Sequence, residues 1–123
     1  MDADERRLLT ERVLGAVFEG SNTLGAGFLE KIYERALLNE LKLRGIAGAS
    51  QVSFSVVYKG QCVGEYCADI IVDGTLVVEL KCADRLTKEH MAQCLNYLRA
   101  TGLKTCLLLN FGRARVEVKR ISL

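Results

Sequence analysis

The chain has no proline and no Ser/Gly-rich run, so it encodes no linker and no disordered tail. It has no internal repeat. Its longest apolar runs fall far short of the ~20 residues that span a bilayer, and its first residues are charged rather than signal-like. A soluble, cytoplasmic protein without membrane contact is the expectation. The net charge of +2 is too small to argue nucleic-acid binding by itself. Cys-x-x-Cys pairs are missing, which removes support for zinc or iron–sulfur ligation. Histidine occurs once, at His90, and a lone histidine is more often structural than functional.

What is present is a globular composition. Of 123 residues, 50% are apolar and 26% charged. A chain of this length is expected to form a single domain, residues 1–123, that buries roughly two-thirds of its unfolded surface. Cys62, Cys67, Cys82, Cys94 and Cys106 are an odd set with apolar neighbours. They read as reduced thiols used as small core residues. The basic end (Arg113, Arg115, Lys119, Arg120) reads as the solvated face of an edge strand, with a phosphate-contacting edge as the alternative.

The stretch Ala68–Lys81 organises the rest. Two apolar strands meet at an Asp73-Gly74 turn, and Asp69, Glu79 and Lys81 interrupt the apolar pattern. Charge inside a strand costs several kcal/mol to desolvate unless it is partnered. Two carboxylates and an ammonium brought together can hold a hard divalent cation and activate a water beside it. An internal ion pair or a solvated sheet face accounts for the same residues, and the stretch alone leaves both open.

Periodicity predicts a helix over about Asp4–Ser21 and, after the Gly25-Ala26-Gly27 break, another over about Phe28–Arg44. Leu29, Tyr33, Ala36, Leu37 and Leu41 share one face of the second, and at 100° per residue Glu30 falls in the same stripe. Glu30 therefore reads as core-facing, either at the stripe edge or pointing into a polar site. Strands follow over Val52–Tyr58, Cys62–Val72 and Leu76–Cys82. Strict alternation puts Ala68, Ile70 and Val72 on one face of the second strand and Cys67 and Ile71 on the other. In the third, Leu76, Val78 and Leu80 oppose Val77, Glu79 and Lys81. Thr87 is a candidate cap for a helix over about Lys88–Ala100, on which His90, Gln93 and Tyr97 form a stripe beside Met91, Leu95 and Leu98. Strands over Thr105–Asn110 and Arg115–Ile121 close an α/β order with a mixed sheet.

The hairpin register decides whether Asp69 and Glu79 meet. A two-residue Asp73-Gly74 loop pairs Val72 with Thr75 and sends the carboxylates to opposite faces. A shared site requires a three-residue loop, Asp73–Thr75, or a bulge.

Taken jointly, these residues resemble the PD-(D/E)XK nuclease superfamily, and within it the GxxExxY family. Gly27-Phe28-Leu29-Glu30-Lys31-Ile32-Tyr33 matches the naming motif, Asp69 the first acidic position, and Glu79-Leu80-Lys81 the Glu-x-Lys. Gln93-Cys94-Leu95-Asn96-Tyr97 is similar to the Gln-x-x-x-Tyr of the RecB-like branch, and Asn110-Phe111-Gly112 to an ending familiar in the family. Two positions depart: Ser21 stands where members commonly carry histidine, and Ala26 where proline often lies between the glycines. The resemblance implies a restriction-endonuclease-like mixed β-sheet flanked by helices and a nuclease dependent on Mg²⁺ or Mn²⁺. It implies Asp69 and Glu79 as metal ligands, the Leu80 carbonyl as a further ligand, and Glu30 completing the acidic site directly or through water. Lys81 would orient the attacking water or stabilise transition-state charge, and Gln93 and Tyr97 would position the site or contact a nucleotide. The partner implied is nucleic acid, DNA before RNA, gripped by a homodimer or with a partner protein because the domain is small. The alternative is an inactive nucleic-acid- or protein-binding module on the same fold.

Overall fold

The computed structural model describes every residue, Met1–Leu123. Its elements are α1 (Ala3–Leu24), α2 (Glu30–Leu43), β1 (Gly48–Tyr58), β2 (Gln61–Val72), β3 (Leu76–Lys81), α3 (Lys88–Thr101), β4 (Thr105–Asn110) and β5 (Glu117–Ser122). One sheet runs β1-β2-β3-β4-β5. The β3–β4 pair is parallel and the others antiparallel. Parallel neighbours need a crossover, and α3 supplies it. The element order is the expected one. Differences lie at the ends: α1 runs three residues past Ser21, and β1 begins at Gly48 rather than Val52.

The apolar pattern sets the layers. Leu9, Val13 and Val17 of α1 and Tyr33, Leu37 and Leu41 of α2 bury one sheet face with Ile70, Val72, Leu76, Val78, Leu80, Leu107 and Leu109. Cys94 and Leu98 of α3 pack on the other face, against Ala68, Ile71, Val77, Cys106 and Leu108. β3 and β4 are covered on both faces and are buried almost throughout, as the apolar runs Leu76–Val78 and Cys106–Leu109 require. Each fully buried leucine or valine contributes about 1.5–3 kcal/mol of transfer free energy. No helix is long and apolar enough to cross a membrane.

Local signals fix the helix ends. Asp2 caps α1 by accepting the Glu5 N–H at 2.8 Å. Thr87 caps α3 by accepting the His90 N–H at 3.3 Å, while His90 Nδ1 accepts the Thr87 N–H at 3.1 Å. His90 is thus half of a reciprocal cap, a structural role. Gly102, in the left-handed region at φ 74, ends α3. All five cysteines are free, but only Cys94 and Cys106 are core residues. Cys62, Cys67 and Cys82 are exposed, because the β1–β2 hairpin and the β3 exit project past the helices that would cover them.

The ends of β3 and β4 are tied together by Asn110, which is fully buried. Its Oδ1 accepts the Ala83 and Gly112 N–H groups at 3.0 and 2.9 Å, and its Nδ2 donates to the Ala83 carbonyl at 2.9 Å and to Glu117 at 3.1 Å. Phe111 stacks on Tyr33 with centroids 4.7 Å apart. The Tyr33 hydroxyl donates to the Gly25 carbonyl and accepts the Phe28 N–H, pinning the loop before α2. At Gly112 a Cβ would lie 2.4 Å from the Ala83 oxygen and 2.6 Å from its nitrogen. Those are backbone atoms held by Asn110 and have nowhere to go. Gly112→Ala is therefore expected to destabilise by about 1–3 kcal/mol, read as a lowered urea midpoint at unchanged m-value. A parental midpoint would show that the Ala83 backbone yields freely.

Candidate active site

The hairpin between β2 and β3 has the register a shared site requires. Val72 pairs with Leu76, Ile71 with Val77 and Ile70 with Val78. Asp73, Gly74 and Thr75 form the three-residue loop, with φ of 52 at Asp73 and 66 at Gly74. The Thr75 N–H closes the turn on the Val72 carbonyl at 3.0 Å. One step beyond Ile70–Val78 the register sets Asp69 across from Glu79.

At that step side chains replace the ladder. The Asp69 N–H donates to Glu79 Oε1 at 3.0 Å, and the Leu80 N–H donates to Asp69 Oδ2 at 2.9 Å. Each carboxylate thus accepts a main-chain N–H from the opposite strand. Asp69 Oδ1 and Glu79 Oε2 take no hydrogen bond, and neither is a sealed-off unsatisfied atom.

Alternation also fails at this step, contrary to the strict pattern expected. The β1–β2 ladder pairs Ser50 with Ile70 and Val52 with Ala68 but skips Gln51 and Asp69. Ala68 consequently packs with Ile71 on the α3 side, while Ile70 and Val72 face α1 and α2. Gln51 takes a left-handed conformation, φ 52, and the irregularity carries the faces across.

Glu79 is only 2% exposed. Burial, then the negative charge of Asp69, pushes its carboxyl up to about 9, against the pull of the Asp69 N–H. Tyr97, on α3, donates its hydroxyl to the Cys67 carbonyl at 3.1 Å and meets Tyr66 edge-on at 5.0 Å. Burial, followed by the charges of Glu79 and Asp69, raises its phenol. Tyr97 therefore belongs to the carboxylate pair's surroundings. Gln93 is half-buried one turn earlier on the same flank of α3. Lys81 is half-buried at the end of β3 and enters no ion pair. Its carbonyl accepts the Phe111 N–H at 2.9 Å, and its charge reaches the buried Cys94 thiol. The internal Asp69–Lys81 or Glu79–Lys81 ion pair left open by the sequence is not formed.

Glu30 departs from its core-facing expectation. It is exposed, at the first residue of α2, near Cys82, whose thiol is raised by burial and then by the Glu30 charge. The buried carboxylate of α2 is Glu34, 6% exposed. Helical angle gives direction but not depth along the axis: Glu30 lies beyond the covered sheet and Glu34 a turn deeper. No third His, Cys, Asp or Glu joins Asp69 and Glu79 in a metal-holding group. The donor set still fits Mg²⁺ or Mn²⁺, which are commonly held by one or two carboxylates and otherwise by water and substrate phosphate. Sequence reasoning missed Glu34 and Gln51. The same 100° stripe marks Glu34 one turn after Glu30, whereas nothing local marks Gln51.

The high Glu79 value fixes a pH dependence for the metal-free protein. The fold keeps this proton to about pH 9, while an unfolded chain releases it near the ordinary 4.5. The contribution is therefore complete below the unfolded value and fades as pH rises through the folded one, at up to ~1.4 kcal/mol per pH unit. Melting followed by circular dichroism between pH 5.5 and pH 8.5 should show this fall, and Glu79→Gln should flatten it. Equal slopes in parent and variant would mean that Glu79 is ionised in the metal-free fold.

Comparison with known proteins places the chain. A sequence profile described as the PD-(D/E)XK nuclease superfamily matches residues 7–121. No functionally curated protein is similar in sequence. Among solved structures, SSO0001 superposes with a TM-score of 0.57 at 20% identity, over 75% of this chain and 48% of that one. An alkaline exonuclease (LHK-Exo) from Laribacter hongkongensis superposes with a TM-score of 0.54 at 15% identity, over 75% and 54%. The chain thus spans about half the length of these two structures, and at such identity the likeness concerns the fold, which is restriction-endonuclease-like. With the profile covering nearly the whole sequence, this chain belongs to the PD-(D/E)XK nuclease superfamily.

Proposed function

We propose that the chain is a nuclease that hydrolyses phosphodiester bonds in nucleic acid with Mg²⁺ or Mn²⁺, and that it belongs to the GxxExxY branch of its superfamily. The observation that carries this reading is the crossed carboxylate pair beside an uncommitted lysine. Asp69 and Glu79 are fixed by N–H groups at 2.9 and 3.0 Å, each with one oxygen left over. A structural ion pair would instead have drawn Lys81 onto a carboxylate.

The residues divide the work. Asp69 and Glu79 would hold the cation, with the Leu80 carbonyl as a further ligand. Glu30, exposed near Cys82, takes part through water. A divalent cation bound here supplies charge neutralisation at the phosphate and an activated water. The Lys81 ammonium stabilises charge developing on the phosphoryl oxygens. Tyr97 holds the Cys67 carbonyl, two residues before Asp69, and Gln93 extends the same flank toward the substrate. DNA stands before RNA on family resemblance alone, while a homodimer or partner protein rests on the small size of the domain and a cytoplasmic location on the shortness of its apolar runs.

Mn²⁺ titration with a cleavage panel of single- and double-stranded DNA and RNA tests the proposal. The parent should gain thermal stability on Mn²⁺, about 2.7 kcal/mol at a hundredfold excess over Kd, and cleave only with metal. Asp69→Asn should lose both responses while folding normally, because it removes the charge a hard cation requires. Lys81→Ala should lose cleavage yet keep the Mn²⁺ shift. A parent with neither metal response nor cleavage would leave the inactive binding module.

A further inference from the structure

We infer that Glu34 and Gln51 are positioning residues, acting from the sheet face opposite α3 to aim Asp69 at Glu79; this rests on the nuclease reading above. Only Gln51, Lys59 and Asp73 are non-glycine residues with positive φ. Lys59 and Asp73 lie in turns. Gln51 lies inside β1, directly across from Asp69, where the ladder skips both. A left-handed non-glycine residue is strained and persists only when its surroundings hold it.

What holds it is a chain of side chains reaching from α2. Gln51 Nε2 donates to Glu34 Oε1 at 2.8 Å, and Lys31 Nζ donates to Glu34 Oε2 at 3.1 Å. Gln51 Oε1 accepts the Cys67 thiol at 3.2 Å. A carboxylate as buried as Glu34 is costly unless its oxygens are partnered, and here both are. The Cys67 carbonyl accepts the Tyr97 hydroxyl from the other face at 3.1 Å. The strand just before Asp69 is therefore gripped from both faces of the sheet. With Gln51 turned out of the ladder, Asp69 leaves its pairing with β1. Its N–H meets Glu79, and its carboxylate meets the Leu80 N–H.

Gln51→Gly in the full chain tests this, because glycine keeps the positive φ without strain and removes only the side chain. The spectroscopic readout needs no activity: the amide signals of Asp69 and Leu80 in a ¹H–¹⁵N spectrum of metal-free protein. Both should move and exchange at least about tenfold faster, with Val78 and Leu107 unchanged. On the cleavage assay kcat should fall by roughly ten- to a hundredfold at unchanged KM, as expected for a misplaced reacting group. Glu34→Leu should reproduce both effects, and Glu34→Gln, which retains an acceptor for Gln51, should restore both. If Gln51→Gly does not fold, the Glu34→Leu and Glu34→Gln comparison decides. Unmoved Asp69 and Leu80 amides would overturn the inference, as would moved amides with parental cleavage or a Glu34→Gln as impaired as Glu34→Leu. A parent without cleavage would overturn the nuclease reading instead, and the amides would still decide the positioning.

Discussion

Where β2 and β3 part, two carboxylates do the work of two carbonyls. Glu79 accepts the Asp69 N–H and Asp69 accepts the Leu80 N–H. Antiparallel strands that separate leave main-chain donors without partners, and such donors are costly to bury. Here the donors are satisfied by carboxyl oxygens, which accept in either protonation state and more strongly when ionised, so hydrogen bonding and charge are coupled at one point. The bonds draw charge into the sheet. Burial and the Asp69 charge still drive Glu79 upward to about 9. A proton shared by the pair relieves that repulsion.

The surrounding residues act on this junction. The three-residue loop at Asp73–Thr75 sets the register. Tyr97 holds the approach to Asp69 from α3, while Glu34 and Gln51 hold it from the α2 side. Asn110 binds the segment after Lys81 to the end of β4, and Gly112 lets the two backbones meet. Tyr33 and Phe111 stack beneath the loop that leads into α2. The residues with which the chain resembles its family thus fall into two kinds. Asp69, Glu79 and Lys81 carry charge to one place, whereas Tyr33, Asn110, Phe111 and Gly112 hold the backbone that presents it.

Much of this was written locally. Hydrophobic period separates helices from strands here, since α1 to α3 repeat at three and four residues and β3 and β4 carry the short apolar runs Leu76–Val78 and Cys106–Leu109. Thr87 and Gly102 mark the ends of α3 through local backbone chemistry. The hairpin register was legible only conditionally, since a shared site required either a three-residue loop or a bulge, and the pairing of β2 with β3 has the loop. The interior cysteines were legible only in part, since exposure depends on which helix lies above a strand and not on the strand's own neighbours.

The sequence by itself determined the element order, the two core stripes, and the identity and spacing of Asp69, Glu79 and Lys81, because each follows from interactions within a few residues or from fixed periods of 2.0 and 3.6. Tertiary structure alone decided which α2 carboxylate is buried. Glu30 and Glu34 share a helical stripe, and only the reach of the sheet beneath α2 sends one to solvent and the other to Gln51. It alone decided that Ala68 changes face, because the skip at Gln51 and Asp69 is a property of two paired strands rather than of either. And it alone decided that Lys81 stays clear of both carboxylates. The carboxylates bond to main-chain N–H groups instead, and which N–H groups lie near is set by the pairing of β2 with β3.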